Sequence, residues 1–514
     1  MQSRIIRRLA RAANGLRWMA LAISPALLLG APLSTPLYAQ RAALEKVVRR
    51  SVLPNGLEVV VLANHGVPLA TLEVVVRNGA FTQTPEFAGL AHLYEHMFFK
   101  ANDRYPEPEQ TIDRASQLGA VFNASTREEL VNYYLTIPSD SVDEGLGFLA
   151  AALFTARFLP EELAREREVV IGEYDQNESS PYFRFDQEMG QRLWTTQFSR
   201  KNTIGDRDVI RATTPAKMRA IKDLYYLPNN SLLIVSGDVN PETVFAQVAR
   251  IFGPWKRGAD PFAASPVPPI PPLTRSQGYI REEAVALATV QIQWHGPSVR
   301  KDEDATFVAD VFSDLLNAPA SRFQKKLVDS GLWEGVVVNY YTLNNVGPIT
   351  VSGQADPGKL RAALKALDVE LREVLKPGYF NVEELNAAKA QRAVSTAFGL
   401  ERSSEFSHTI GFWWSVSGLD YYLKYVDEMA RRTPVQLQDY ARKYIIDQPH
   451  ITGVLLSPEA RAQLKLTEDE LALWGNPVVR PVPVGAPGAA SKVAPKAAPK
   501  VPPASKRPVP GGNR

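Results

Sequence analysis

The chain of 514 residues contains no cysteine. That excludes a disulfide scaffold, a thiol nucleophile and any Cys-ligated zinc or iron–sulfur site. It also excludes a bacterial lipoprotein, which needs a Cys to lipidate. Histidine is scarce, six in all, so any constellation of histidines is informative. Acid is missing from both ends: residues 1–39 hold five arginines and residues 477–514 hold seven basic side chains, with no Asp or Glu in either. Removing those five and seven charges from the formal +3 leaves −9 on residues 40–476. A duplex-binding protein carries its basic surplus on the folded part, so no nucleic-acid partner is expected. With 45% hydrophobic and 22% charged residues the composition is that of a soluble globular protein, and the length predicts about two to four domains.

Residues 1–39 read as a secretory signal peptide. An arginine-rich start leads into Trp18-Met-Ala-Leu-Ala-Ile-Ser-Pro-Ala-Leu-Leu-Leu29, and Ala39 offers a small residue for cleavage before Gln40. The apolar run is about a dozen residues, short of the ~20 that span a bilayer. Arginines without acids also suit a mitochondrial transit peptide. Here the apolar block is contiguous rather than amphipathic, so a periplasmic or secreted location is expected ahead of a mitochondrial one. Residues 477–514 contain ten prolines among Ala, Val and Lys. Such a segment lacks the large apolar side chains that offset ordering entropy, and it reads as a disordered basic tail. Attachment to an anionic surface is the functional alternative to a plain tether.

Between the ends, Pro261-Phe-Ala-Ala-Ser-Pro-Val-Pro-Pro-Ile-Pro-Pro272 reads as a linker between a first domain, 40–260, and a second, 273–476. In the first, 57–62 and 70–76 are strand-like, and Asn55-Gly56 is a hairpin signal just before them. Helical patterns follow at 87–100, 108–118, 142–155 and 160–175, then a strand at 231–236. The second half echoes the first. Phe158-Leu-Pro-Glu-Glu-Leu163 recurs as Phe380-Asn-Val-Glu-Glu-Leu385, a shift of 222 residues, and the strand–turn–helix pattern of 135–146 recurs at 349–360. Two echoes in the same order point to a duplicated α+β unit; recurrent strand–helix grammar without duplication is the alternative.

The informative segment is Gly89-Leu-Ala-His-Leu-Tyr-Glu-His-Met-Phe-Phe-Lys100, which contains His92-Leu-Tyr-Glu95-His96, an H-x-x-E-H arrangement. Chance supplies it on the order of 0.005 times in a chain of this length and composition. On a helix, i and i+4 lie one turn apart on one face, so neutral His92 and His96 can be adjacent ligands of one zinc ion. Glu95 sits on the same side. A carboxylate there need not bind the metal; it can take a proton from water that the metal activates. Two histidines on a half-buried helix, the bland reading, leave the intervening acid without a reason. A catalytic zinc needs a third protein ligand and an open position. The predicted helix 160–175 carries Glu161, Glu162, Glu166, Glu168 and Glu173. Glu166 and Glu173 are two turns apart on one face. Periodicity does not choose between them, nor against a solvated stripe paired with Arg165 and Arg167.

The segment resembles the zinc site of the pitrilysin–insulinase–mitochondrial processing peptidase family. That family's inverted motif is followed by a ligand Glu, at an interval that Glu173, 77 positions after His96, matches. Glu166 falls on the family's accessory acid. Further landmarks follow in order: Leu53-Pro-Asn-Gly-Leu57, Phe122-Asn-Ala-Ser-Thr126, Tyr133-Tyr134, Tyr226-Leu-Pro-Asn-Asn230 and Ser236-Gly-Asp-Val239. The resemblance covers essentially the whole core. It implies an α+β fold of two homologous halves, each a mostly antiparallel sheet with packed helices, forming a clamshell. It implies zinc as cofactor with His92, His96 and Glu173 as ligands, Glu95 as general base and Glu166 as an accessory catalytic acid. By the 222-residue shift Glu166 and Glu173 correspond to Ala388 and Ser395, so the second half is expected to be metal-free. Family members bind substrate as an added strand on a sheet edge, here near 121–125, with Asn123 and Ala124 facing the peptide. The implied activity is that of a zinc-dependent endopeptidase acting on extended peptides or unfolded protein segments.

One departure stands out. Fully equipped members carry an Arg and a following Tyr in the second half, which contact substrate; here Val328 and Glu334 occupy those places. Tyr340 and Tyr341 lie nearby but out of register. Some members divide the labour between a zinc-bearing subunit and a metal-free partner with the pair. A homologous partner subunit carrying the Arg/Tyr pair, or a homodimer, is therefore expected. A non-catalytic scaffold or binding subunit is the alternative. The other histidines have bland readings: His295 ends a strand-like run, His65 lies in a turn, and His408 and His450 have no ligand-spaced neighbours. Trp413-Trp414 reads as core or interface.

Overall fold

The computed structural model describes residues 40–476, so the expected signal peptide and tail lie outside the described residues. After a short helix, Gln40–Val47, the chain builds a six-stranded sheet. Its strands are β1 (Val48–Val52), β2 (Glu58–Ala63), β3 (Leu69–Val76), β4 (Val121–Thr126), β5 (Val131–Pro138) and β6 (Ser231–Gly237), in the spatial order β1-β2-β6-β3-β5-β4. Asn55-Gly56 makes the turn between β1 and β2. Gly56 has a φ of 92°, and Asn55 Nδ2 pins the turn by donating to Phe252 O at 2.8 Å and Trp255 O at 3.0 Å. The helices of this half that matter to the site are α1 (Leu90–Phe98), α2 (Val142–Thr155), α3 (Pro160–Glu178) and α4 (Phe183–Trp194). α1 starts later than the pattern 87–100 suggests, because Gly89 has a φ of 90° and a Cβ there would stand 2.9 Å from Gly205 Cα. The proline-rich stretch opens with one helical turn, Pro261–Ala264, whose Phe262 ring lies 5.6 Å from that of Phe81.

The second half holds a five-stranded sheet of β7 (Gln277–Glu282), β8 (Ala288–His295), β9 (Gly335–Tyr340), β10 (Pro348–Ala355) and β11 (Ile451–Leu456), ordered β7-β11-β8-β10-β9. Its principal helices are α5 (Glu303–Asn317), α6 (Leu360–Glu373), α7 (Val382–Phe398) and α8 (Ser403–Val416). From β2 onward the two sheets agree strand for strand. β2 and β6 are parallel, as are β7 and β11, and the remaining neighbours are antiparallel in both. α3 and α7 begin 222 residues apart, at Pro160 and Val382. The fold is thus two homologous α+β halves, a clamshell, as expected.

One face of the first sheet packs Val59, Val61, Leu72 and Val74 into a core with α1 and α2. The other face of each sheet is covered from the opposite half. α8 lies on β3 and β6, while α4 lies on β11, packing Phe185, Met189, Leu193 and Trp194 against Ile451 and Leu455. This exchange buries β3 and β6 along almost their whole length, where a one-faced sheet would alternate. Glycine permits the close approach on both sides. A Cβ at Gly411 would stand 2.7 Å from Val75 Cγ2, and one at Gly453 would stand 2.3 Å from Met189 Sδ. No helix of the described residues is long and apolar enough to cross a membrane.

Candidate metal centre

α1 packs on α3 and on β4, the free edge of the first sheet. Its apolar residues fix its rotation: Phe98 stacks on Tyr133 at 3.6 Å and Tyr94 on Tyr226 at 4.0 Å. His92, Glu95 and His96 are left half-buried on the remaining face. The start of α1 has no cap from its own N-cap residue. Instead Gln83 Oε1 accepts from Gly89 N at 2.9 Å and Ala91 N at 3.3 Å, while Gln83 Nε2 donates to Ser199 O and Asn202 O at 3.0 and 3.2 Å.

His92 Nε2 lies 3.5 Å from Glu173 Oε2, and His96 Nε2 lies 3.7 Å from Glu173 Oε1. One donor atom from each of the three residues falls within 4.8 Å of the others. Glu166 stands on the other side of His96. Its Oε2 is 3.2 Å from His96 Nδ1 and its Oε1 is 2.5 Å from Lys100 Nζ. Thr126, the last residue of β4, stands near the Glu95 carboxylate and favours its charged form, while its Oγ1 donates to Ala91 O at 3.4 Å. Asn123 and Ala124 lie earlier on β4, opposite Tyr134 and Tyr133 of β5. Asn123 is exposed, and its Oδ1 accepts from Ala124 N at 2.9 Å. The five anticipated site residues from α1 and α3 are therefore side by side, and the two from β4 lie along the adjoining edge.

Burial, reinforced by the neighbouring His96, pushes His92 down to about 4, so it is a neutral imidazole at ordinary pH. For His96, burial disfavours the charged form, but the hydrogen bond to Glu166 and the nearby carboxylates outweigh it and raise the pKa. Burial lifts Glu95 above the usual carboxylate range, with Thr126 and His96 pulling partly against it. Burial would lift Glu166 too, yet the hydrogen bonds from His96 and Lys100 hold it low.

Two imidazoles and a carboxylate are a donor set that suits zinc with one position left open. The fit can be tested on the distances. Ligands bonded at about 2.0–2.1 Å to a tetrahedral ion lie about 3.3–3.4 Å from one another. The two N···O separations of 3.5 and 3.7 Å are close to that edge length, and the residues fit the ion. Among the described residues no second group of this kind occurs.

Three contributors were not anticipated. Lys100 continues the His92/His96 spacing by four residues, so the helical pattern contained its signal. Gln83 and Thr126 act from separate segments and had none. His408, read as bland, reaches across the halves with Nδ1 2.9 Å from Glu73 Oε2, and Glu73 also accepts from Asn132 at 2.6 Å. In the second half, Ala388 and Ser395 lie on α7, where neither offers the carboxylate of its counterpart. Tyr340 is buried with its hydroxyl donating to Pro297 O at 3.1 Å, and burial together with the nearby Glu128 raises the pKa of the Tyr341 phenol.

Comparison with known proteins agrees with this architecture. Residues 58–205 match the family model described as insulinase (peptidase family M16). Residues 212–392 match the one described as the peptidase M16 inactive domain. The zinc protease PqqE of Helicobacter pylori is 26% identical over 404 residues, covering 76% of this chain and 86% of the relative. The crystal structure of the first half of the periplasmic protease PqqL from Escherichia coli matches with a TM-score of 0.70 at 18% identity, over 85% of this chain and 98% of that one. Against the longer PqqL structure the TM-score is 0.69 at 17% identity, over 87% of this chain but 52% of that one. This chain belongs to the insulinase (M16) family of peptidases.

Proposed function

We propose that this chain is a zinc-dependent endopeptidase that hydrolyses peptide bonds in extended peptides or unfolded segments. Residues 40–260 form its metal-bearing domain and 273–476 the metal-free counterpart. The observation that supports this most is the convergence of His92, His96 and Glu173 donor atoms within 4.8 Å, with Glu95 and a free sheet edge beside them.

His92, His96 and Glu173 would hold a zinc ion, which when bound would supply Lewis acidity for the scissile carbonyl and lower the pKa of a water molecule. His92 offers a neutral nitrogen because burial keeps it unprotonated. Glu166, an acceptor only, keeps the proton of His96 on Nδ1 and the lone pair on Nε2. Glu95 takes the proton of the attacking water on its carboxylate and passes it to the leaving nitrogen. Thr126 beside that carboxylate favours its charged form. Substrate lies along β4 as an added strand beside Asn123 and Ala124, an arrangement that reads backbone before side chain.

We place the protein outside the cytoplasm on its leading sequence, a reading in keeping with the periplasmic description of PqqL. The chain spans 98% of one half of PqqL and 52% of the longer structure. With Val328 and Glu334 where an Arg and a Tyr are expected, this supports joint action with a homologous partner subunit that carries the pair, or with a second copy. A non-catalytic scaffold is the second reading, favoured by the missing pair and by the inactive-domain match over 212–392. A peptide-library digest separates the two. Cleavage is expected to stop with chelator and to fall at least about 100-fold in Glu95→Gln, with zinc content unchanged. A zinc-loaded protein that cleaves nothing, alone or with homologous partners, is a scaffold.

A further inference from the structure

α3 offers two carboxylates to α1 on one face, Glu166 and Glu173, and nothing in their spacing ranks them. Their surroundings do. The Glu166 side chain is 14% exposed and has both oxygens engaged, Oε2 at 3.2 Å from His96 Nδ1 and Oε1 at 2.5 Å from Lys100 Nζ. The Glu173 side chain is 43% exposed. Among the described residues it forms no ion pair with a lysine or arginine, and its ion-pair contacts are with the two imidazole Nε2 atoms.

We propose that Lys100 is a positioning residue of the metal centre: it holds one oxygen of Glu166, aims the other at His96 Nδ1, and so leaves Glu173 as the carboxylate ligand. This rests on the metal-site reading above.

The placement of Lys100 is itself fixed. It follows the end of α1, and its carbonyl accepts from Thr111 Oγ1 at 3.1 Å and Asn102 Nδ2 at 3.3 Å. Glu162, one turn before Glu166 on α3, feels the Lys100 charge, but its oxygens are turned to the Ala101 amide, at 3.3 and 3.2 Å, and the direct ion pair of the ammonium is with Glu166. The ammonium is thus committed to Glu166. With Oε1 occupied, Glu166 cannot turn toward the ligand pocket without breaking a charge-assisted contact in a poorly solvated place, where such contacts are strongest. His96 in turn has its tautomer set, with Nε2 free to bind.

The test is zinc affinity, measured by competition with a chromophoric chelator, in wild type, Lys100→Met and Lys100→Arg. Met keeps the packing of the stem and removes the charge; Arg keeps the charge. Partners of ligating histidines typically change metal affinity about 10- to 100-fold. A loss of about 10-fold or more is expected in Met, with recovery in Arg. The visible spectrum of the cobalt-substituted protein should shift in Met, since the donor geometry changes. The unfolding midpoint of the metal-free protein serves as the folding control, and Lys100→Gln replaces Met if Met does not fold. Tight zinc binding by wild type with an unchanged Met variant overturns this proposal alone, as does an Arg variant no better than Met. A wild-type protein that takes no zinc overturns the metal-site reading and this proposal with it.

Discussion

Gln83 shows how much of the site depends on a residue that touches none of its chemistry. Its amide closes four backbone groups, two at the start of α1 and two in the 199–202 segment. Gln83→Leu leaves them buried without partners, at about 1–3 kcal/mol for each group that finds no water. We expect it to lower stability by about 2–4 kcal/mol in urea titration; a change below about 0.5 kcal/mol contradicts the capping role. Asp310 on α5 gives a pH prediction. Burial pushes its carboxyl up from 3.8 to about 6, against the pull of Arg392 and the hydrogen bond from Tyr425. The folded value is the higher one, so the native state holds the extra proton. The stability this group contributes is complete below pH 3.8 and is lost as pH rises through about 6. Asp310→Asn keeps an acceptor for Tyr425 and removes the titration. Its melting temperature is expected to gain on wild type as pH rises from 4 to 7, and parallel curves would contradict the shift. At this scale, legibility followed locality. His92, Glu95 and His96 share one turn of one helix and could be read. Gln83, Thr126 and the Glu73–His408 contact join distant segments and could not.

The duplicated elements were partly visible, because the repeat preserves a helix start. The 222-residue shift that relates Phe158–Leu163 to Phe380–Leu385 also relates the first residues of α3 and α7. The exchange of α4 and α8 was hidden, since neither helix shows in its own sequence whose sheet it covers. β1 was missed for a different reason: Val48–Val52 is mostly exposed and has no apolar run. The corresponding helix pairs also differ at the places of the candidate metal residues. α5 packs on β9 and α7, as α1 packs on β4 and α3. Where the first half brings histidines to the carboxylates of α3, Arg392 of α7 holds Asp314 of α5 through two contacts of 2.7 and 2.5 Å. An internal ion pair ties together the helices of the second half. The exchange itself can be probed at Gly453, where a Cβ would stand 2.3 Å from Met189 Sδ. Gly453→Val is expected to cost about 1–3 kcal/mol through overpacking, read as a lower denaturation midpoint. An unchanged midpoint would mean that α4 is not seated on β11.

Taken whole, the molecule joins a complete set of zinc-site residues to a second half without the expected Arg/Tyr pair. On the proposed reading, that combination divides the labour between this chain and a homologous subunit. The chain alone is expected to cleave unfolded protein slowly, and a homologous subunit bearing the pair to raise the rate. Full activity from the isolated chain contradicts the two-chain account. The fold and family were legible in the sequence because motif, spacing and repeat agreed; the physiological partner was not, because interfaces leave no periodicity. The central claim is that His92, His96 and Glu173 hold one zinc ion for Glu95 to use. Elemental analysis of the purified protein tests it most directly. The account predicts one zinc per chain in wild type and in Glu95→Gln, and loss of that zinc in His96→Ala and Glu173→Gln. A wild-type protein that takes up no zinc, or ligand variants that keep it, would contradict the account.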